Sequence, residues 1–281
     1  MSIEVEQNFD WSETKRKLII FALNYHRDRF VEISLRKFST STSLQDWLYV
    51  VGNDNCRLDF DLHQFGSNVR YLNLLRNSSE ERNGSFLRNY FIKRCQSDLL
   101  LQKDGEVVLL DDPVKACLEK KIWRPGWIYV LNPKLSELYY QGQLLDPAGS
   151  NQDLNMHGFP NQITDSGDYS ADQAKKSIMA AAGGSCMSTY YHYAYCVPTK
   201  VLQDLRGYDE RYTHYGFEDS DMFCRLAYSG VRLHPDYNCR AVHLWHDKQI
   251  VSNKLNDMGN LFQTQRPEDT IRNLGVWGEG E

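Results

Sequence analysis

The sequence has no excess of positive charge, no long apolar segment and no paired-cysteine spacing, and each absence removes a class of function. Lys and Arg number 32 against 37 Asp and Glu, a formal charge of -5, and no basic run is long enough to track a nucleic-acid backbone. Nucleic acid is therefore not an expected partner. The apolar run near the N-terminus, Leu18 to Leu23, falls far short of the roughly 20 residues a spanning helix needs. No transmembrane segment is expected. The 7 cysteines, at 56, 95, 117, 186, 196, 224 and 239, are odd in number and never spaced CxxC. That argues against a disulfide framework and a zinc ribbon, and reads as reduced thiols in a cytoplasmic protein. No repeat or low-complexity linker divides the chain.

What is present is an ordinary soluble composition, 41% hydrophobic and 25% charged over 281 residues, with an aromatic share of 12%. The 6 Trp, 17 Tyr and 12 Phe can fill a core, and they are also the rings that stack on sugars and bases. Residues 1–16 are polar and read as a tail or short surface helix. Lys17 to Leu23 reads as a buried strand, His26 to Phe38 as a helix and Trp47 to Val51 as a second strand. Val69 to Leu72, a helix from Ser85 to Cys95 and an apolar strand at Asp98 to Leu101 continue the alternation. Such a pattern predicts an α/β domain with a mostly parallel sheet, binding its ligand beyond the carboxyl ends of the strands.

After a strand at Trp127 to Leu131 and a short helix following Pro133, residues 147–170 form a long polar stretch of the kind that serves function or motion. A helix at Ala171 to Ala182, a strand at Tyr190 to Val197, helices at Pro198 to Leu205 and Glu218 to Tyr228, and a strand at Arg240 to Trp245 follow. One more helix is expected around Asn253 to Gln263.

Three local patterns could carry chemistry. Asp104-Gly105-Glu106 follows a buried strand, and carboxylates at i and i+2 across a tight turn can face one hard divalent cation. The same composition also makes a plain solvated turn. Asp111-Asp112 is a weaker pair, because Pro113 makes Asp112 the N-cap of a helix. Glu218 and Asp219 follow an aromatic-glycine turn at a helix N-terminus, where they could simply complement the helix dipole or act as a general base. His243-Leu244-Trp245-His246 ends a strand, and histidines at that spacing do not by themselves make a metal site.

Taken in order, these features resemble the inverting nucleotide-sugar glycosyltransferases of the GT-A fold, the family 2 enzymes and their galactosyltransferase-like relatives. Ala22-Leu23-Asn24-Tyr25 resembles the donor turn after the first strand, Val50-Val51-Gly52-Asn53-Asp54 the nucleoside turn, and Arg88-Asn89-Tyr90-Phe91-Ile92-Lys93 the helix before the metal motif. Asp104-Gly105-Glu106 stands where the family has Asp-x-Asp. Tyr208-Asp209-Glu210 and Phe217-Glu218-Asp219 resemble the acceptor and base segment, and His243 the late histidine of the metal shell. The resemblance spans about residues 17–248 and is most specific over 207–246. Glutamate replaces the second aspartate of the metal motif, Phe217 replaces a glycine, and the nucleoside turn reads Gly-Asn-Asp.

The resemblance implies a single GT-A domain over 17–248, with a nucleotide-sugar half at 17–110, an acceptor half at 111–248 and a helical extension at 249–281. It implies transfer from a nucleoside-diphosphate sugar, a UDP-sugar foremost, to a hydroxyl of a glycan or glycoconjugate with inversion. Asp219 is then the general base and Glu218 a second catalytic residue that orients an acceptor or donor hydroxyl; Asp104, Glu106 and His243 hold Mn²⁺ or Mg²⁺. Asn24, Arg27, Asn53 or Asp54, Arg88, Lys93 and Asp104 bind the donor, and Tyr215, Trp245 or the tyrosines near 190–195 and 212–215 stack on sugars. The protein is expected in the cytoplasm or at the membrane periphery. Two rival readings are a sugar-phosphate nucleotidyltransferase, which needs a glycine-rich loop that Asn24-Tyr25-His26-Arg27-Asp28 lacks, and a non-catalytic carbohydrate or nucleotide-sugar binder. A zinc hydrolase built on His243 and His246 is the weakest option.

Overall fold

The computed structural model describes residues 3–41, 46–76, 83–109, 112–118, 127–132, 139–140, 143–144, 194–214, 216–229, 231–243, 252–266 and 269–279. The strands are β1 (Ile3–Gln7), β2 (Leu18–Asn24), β3 (Trp47–Asp54), β4 (Val69–Arg76), β5 (Leu99–Asp104), β6 (Val107–Leu109), β7 (Trp127–Asn132), β8 (Tyr139–Tyr140), β9 (Gln143–Leu144), β10 (Ala194–Pro198) and β11 (Arg232–His243). The α-helices are α1 (Asp28–Ser41), α2 (Gly84–Arg94), α3 (Pro113–Leu118), α4 (Thr199–Asp204), α5 (Glu218–Tyr228) and α6 (Ser252–Thr264).

Nine strands form one mixed sheet in the order β1-β4-β3-β2-β5-β10-β7-β11-β6, while β8 and β9 pair separately. The block β4-β3-β2-β5 is parallel throughout, and β7 and β11 are parallel to each other. β1, β10 and β6 join their neighbours antiparallel.

Period-two alternation sends β2 into both cores. Ile19, Phe21 and Leu23 pack with Leu87, Phe91 and Phe223 on one face of the sheet. Leu18, Ile20 and Ala22 pack with Val31, Leu35 and Val114 on the other. Helices on both faces explain why every residue of β2 and β3 is buried. The carboxyl ends of β2, β3 and β5 therefore converge at one rim, where Asn24, Asp54 and Asp104 end their strands.

Three expectations change. Residues 3–14 are not a tail: β1 pairs with β4 along the sheet edge, and a 3-10 turn at Trp11–Thr14 is closed by a capping box of Asp10 and Glu13. The last strand begins at Arg232, well before Arg240: Pro235 and Asp236 pair in register with Val130 and Leu131, and the register shifts only between Asp236 and Arg240. Tyr195 and Tyr212 are core residues at 1% exposure each, so neither can stack on a sugar. Asp112 does cap α3, accepting from the amides of Val114 and Lys115. The helix expected after Pro133, the polar stretch 147–170 and the helix at 171–182 lie outside the described residues.

Candidate active site

The rim is organised by polar ladders that run across the strands. Asn24, Asn53 and Asn73 stand at paired register positions on β2, β3 and β4, with Glu6 of β1 next in line. Asn24 Nδ2 donates to Asn53 Oδ1 at 2.8 Å, Asn53 Nδ2 to Asn73 Oδ1 at 2.7 Å and Asn73 Nδ2 to Glu6 Oε2 at 3.1 Å. Arg57 closes the row by pairing with Glu6, and the Arg57 and Asn73 hydrogen bonds hold that carboxyl down at about 2. Asn24 also shapes the following turn, accepting from the Arg27 amide and donating to Asp28 Oδ1.

Asp54 is wholly buried, ion-paired with Arg76 and accepting from the Asn83 amide at 2.7 Å. It thereby fixes the entry to α2, whose N-cap is Asn83. In this arrangement Asn24, Asn53 and Asp54 brace the rim from below.

Above that frame lies a charge cluster assembled from three distant segments. Arg88, one turn into α2, is 3% exposed. Its Nη2 donates to Asp104 Oδ1 at 3.2 Å, and its Nη1 lies 3.7 Å from Asp219 Oδ1 and 4.0 Å from Glu218 Oε1. The guanidinium sits over the Tyr208 ring, 4.9 Å from its centroid. Burial opposes the charge on Arg88, but Asp219, Asp104 and Glu218 outweigh it and raise the group above its ordinary value.

Glu106, the other acid of the β5–β6 turn, is buried and paired with Arg27. The glycine between the two acids is required: a Cβ on Gly105 would stand 2.8 Å from the Leu23 carbonyl oxygen. Lys103, also buried, donates to Tyr49 Oη and the Asp104 carbonyl, and burial brings its pKa down to about 7.

The turn before α5 has an unusual backbone. Gly216 and Phe217 both have positive φ, +112° and +69°. A phenylalanine in the left-handed region costs about 1–2 kcal/mol, which accounts for the glycine preference noted at that position. Packing offsets the cost, since the Phe217 ring stacks on Phe262 of α6 at 5.4 Å. The turn delivers Glu218 and Asp219 to the first turn of α5. Glu218 Oε2 accepts from the Gly216 amide at 2.9 Å, so Glu218 is tied to the turn while Asp219 is the more exposed of the two.

The structure thus brings together Arg88, Asp104, Glu218 and Asp219, with Arg27 and Glu106 paired at the same β5–β6 turn. It does not bring Lys93 to them. Lys93 lies five positions along α2 from Arg88, roughly 140° round the helix, and pairs with Glu279. Tyr215, Trp245 and His246 lie outside the described residues, as does the side chain of His243. The backbone of His243 ends β11 opposite Val107, next in sequence to Glu106. Among the described residues no three His, Cys, Asp or Glu side chains gather as a metal-holding group. The donor types still suit a hard divalent ion: two carboxylates across Gly105 and a histidine whose strand ends beside them. Each of those carboxylates faces an arginine, so the turn carries a demand for positive charge.

Solved structures share this arrangement of elements. Staphylococcus aureus TarS matches with a TM-score of 0.56 at 12% identity, over 82% of this chain and 37% of that one. The TarS 1-349 fragment in complex with UDP-GlcNAc matches with 0.55 at 12% identity, over 83% and 60%. The catalytic domain of Drosophila beta1,4galactosyltransferase 7, in complex with xylobiose, matches with 0.51 at 13% identity, over 90% and 83%. The fold is GT-A.

A family described as the N-terminal domain of galactosyltransferase matches residues 194–247, the segment that runs from β10 through the Gly216-Phe217 turn and α5 to just past the end of β11. No curated protein sequence matches. The chain spans about a third of TarS and 60% of its fragment. No helix among the described residues is long and apolar enough to cross a membrane.

Asn73, which completes the ladder, is not among the residues the sequence singles out, whereas Tyr208 stands in the segment that resembles the acceptor motif and its ring lies under Arg88. Asn73 directly follows the run Val69 to Leu72 read as a strand, a position that could have placed it on the rim.

Proposed function

We propose that this protein is an inverting glycosyltransferase that moves a sugar from a UDP-sugar to a hydroxyl of a glycan or glycoconjugate acceptor. One observation carries the reading: a single buried guanidinium, Arg88, joins Asp104 at the donor rim to Glu218 and Asp219 at the N-terminus of α5. Donor-side charge and a candidate base therefore face each other across one enclosed site. The UDP-GlcNAc held by the TarS fragment and the galactosyltransferase family match at 194–247 support the same chemistry, and polysaccharide assembly is the role we propose for it.

Asp219 accepts the proton of the acceptor hydroxyl as its oxygen bonds to the anomeric carbon, and the electrons of the breaking carbon–oxygen bond leave with UDP. Attack on the face opposite the diphosphate gives a β-linkage from an α-linked donor. Glu218, held by the Gly216 amide, orients a sugar hydroxyl beside Asp219. Arg88 offsets the clustered carboxylates, and Arg27 stands at the diphosphate side. Asn24, Asn53 and Asp54 shape the nucleoside pocket, while Tyr215 and Trp245 contact the acceptor. Asp104, Glu106 and His243 would hold Mn²⁺ or Mg²⁺. Bound there, the ion neutralises charge on the diphosphate.

The donor half is assigned to 17–110, the acceptor half to 111–248 and an extension to 249–281. Cys56, Cys95 and Cys196 are buried free thiols, which supports a reducing, cytoplasmic setting; a place at the membrane periphery belongs to the same proposal.

The test is calorimetric titration of UDP, ADP and GDP with and without Mn²⁺. Tight UDP binding that strengthens with Mn²⁺ is expected; no binding of any nucleotide would reject the reading.

A further inference from the structure

Segment 269–279 lies against the site without any residue in it. Its grip is polar. Asn273 Nδ2 donates to the carbonyls of Arg206 and Tyr208 at 2.7 and 2.6 Å, and its Oδ1 accepts from the Glu210 amide at 3.3 Å. From the opposite side Asn89 of α2 takes both backbone groups of Tyr208, accepting from its amide at 2.6 Å and donating to its carbonyl at 2.8 Å. Glu210 Oε1 receives Asn89 Nδ2 and the Gly278 amide, both at 2.8 Å. Gly278 has a φ of +63°, and a Cβ there would stand 2.8 Å from the Asn89 carbonyl oxygen.

The segment reaches the base helix as well. Arg272 Nε donates to Asp221 Oδ1 at 3.2 Å, and Arg225 Nε to Asp221 Oδ2 at 2.7 Å. Arg225 Nη1 then binds the carbonyls of Gly207 and Thr270 at 2.8 and 3.3 Å. Asp221 belongs to the first turn of α5, the turn that carries Glu218 and Asp219. Arg206 Nη1 gathers the carbonyls of Asn273, Leu274 and Gly275, fixing the bend while Leu274 and Val276 stay 81% and 77% exposed. Trp277 packs against the apolar core and lies under Lys93, while the hold on Arg206, Tyr208 and Asp221 is made of hydrogen bonds.

Two of the pieces that set the spacing between Arg88 and Asp219 are thus gripped by one segment: Tyr208, whose ring lies under Arg88, and the first turn of α5. We propose that segment 269–279 is a strap that positions the base against the donor, with Asn273 and Arg272 as its positioning residues. The proposal rests on the transferase reading and adds that kcat, not donor binding, depends on the strap. A misplacement of about 1 Å can cost on the order of 100-fold in rate without touching a substrate contact.

The test compares full-length Asn273→Ala, Arg272→Met and Arg272→Lys with the wild type. UDP affinity is measured by calorimetry, and kcat and donor KM by UDP release from UDP-GlcNAc and UDP-galactose with a mixed glycan acceptor. Expected are roughly 10- to 100-fold losses in kcat for Asn273→Ala and Arg272→Met, UDP affinity and donor KM within about twofold of wild type, and recovery of most of the rate in Arg272→Lys. The Arg272 pair decides the matter if Asn273→Ala does not fold. Wild-type kcat in the folded Met variant, UDP affinity falling in step with kcat, or no recovery in the Lys variant would overturn the strap. A wild type that neither binds UDP nor turns over donor refutes the transferase reading itself.

Discussion

Replacing Arg88 by methionine removes one charge and leaves three carboxylates in an enclosed space. The side chain is 4% exposed, with Asp104, Asp219 and Glu218 at 3.2, 3.7 and 4.0 Å. At an effective dielectric near 20, each such pair is worth about 4–5 kcal/mol before desolvation. Relief of the buried guanidinium returns much of that sum, and breaking a buried pair nets about 3–5 kcal/mol of destabilisation.

The sign of the pH dependence follows from the same charges. Without Arg88 the three clustered carboxylates repel one another, and adding a proton to the cluster relieves that repulsion. The folded variant then takes up protons first on acidification, so its deficit is greatest near pH 7.5 and shrinks toward pH 5. Urea unfolding of both proteins at the two pH values measures this. A deficit below about 1 kcal/mol at pH 7.5, or one that grows on acidification, would refute the reasoning.

Phe217→Gly relieves the left-handed strain while losing the stack on Phe262, so it should unfold within about 1 kcal/mol of wild type; Phe217→Ala keeps the strain, loses the stack and should be less stable than the glycine variant by about 1 kcal/mol in denaturant titrations. Lys103, with its folded pKa brought down to about 7, makes wild-type stability rise as pH climbs from 7 toward the unfolded lysine value; Lys103→Met should flatten that slope, and an unchanged slope would exclude Lys103 as its source. Asp219→Asn should lower sugar transfer about 100- to 10,000-fold with UDP affinity preserved, and near wild-type transfer would reject Asp219 as the base.

The fold was legible wherever apolar periodicity was strong. Leu18 to Asn24 and Trp47 to Asp54 alternate between two cores, and their burial on both faces left an apolar signature that needed no tertiary information. The edge strand β1 escaped because Ile3-Glu4-Val5-Glu6 offers only a brief alternation, and its stability comes from pairing with β4. The early part of β11 escaped because Pro235, Asp236 and Asn238 are poor strand formers, whereas Pro235 and Asp236 pair in register with Val130 and Leu131 of β7.

In the site, Asp104, Arg88 and the Glu218-Asp219 turn were legible through their order along the chain. Their meeting at one guanidinium was not, since it joins positions more than a hundred residues apart. Lys93 was misplaced for a local reason: a helix turns about 100° per residue, so a motif written as a line wraps away from the cleft within five positions. Asn24 and Asn53 were read as ligand groups, and the structure shows carboxamides joined to each other and to Asn73, which a single sequence cannot distinguish.

The most direct test of the account is nuclear magnetic resonance of the product formed from an α-linked UDP-sugar, the acceptor and Mn²⁺, with Asp219→Asn as the control. The account predicts UDP release coupled to a β-linked product that the control does not form. An α-linked product, or transfer that survives in the control, would contradict it.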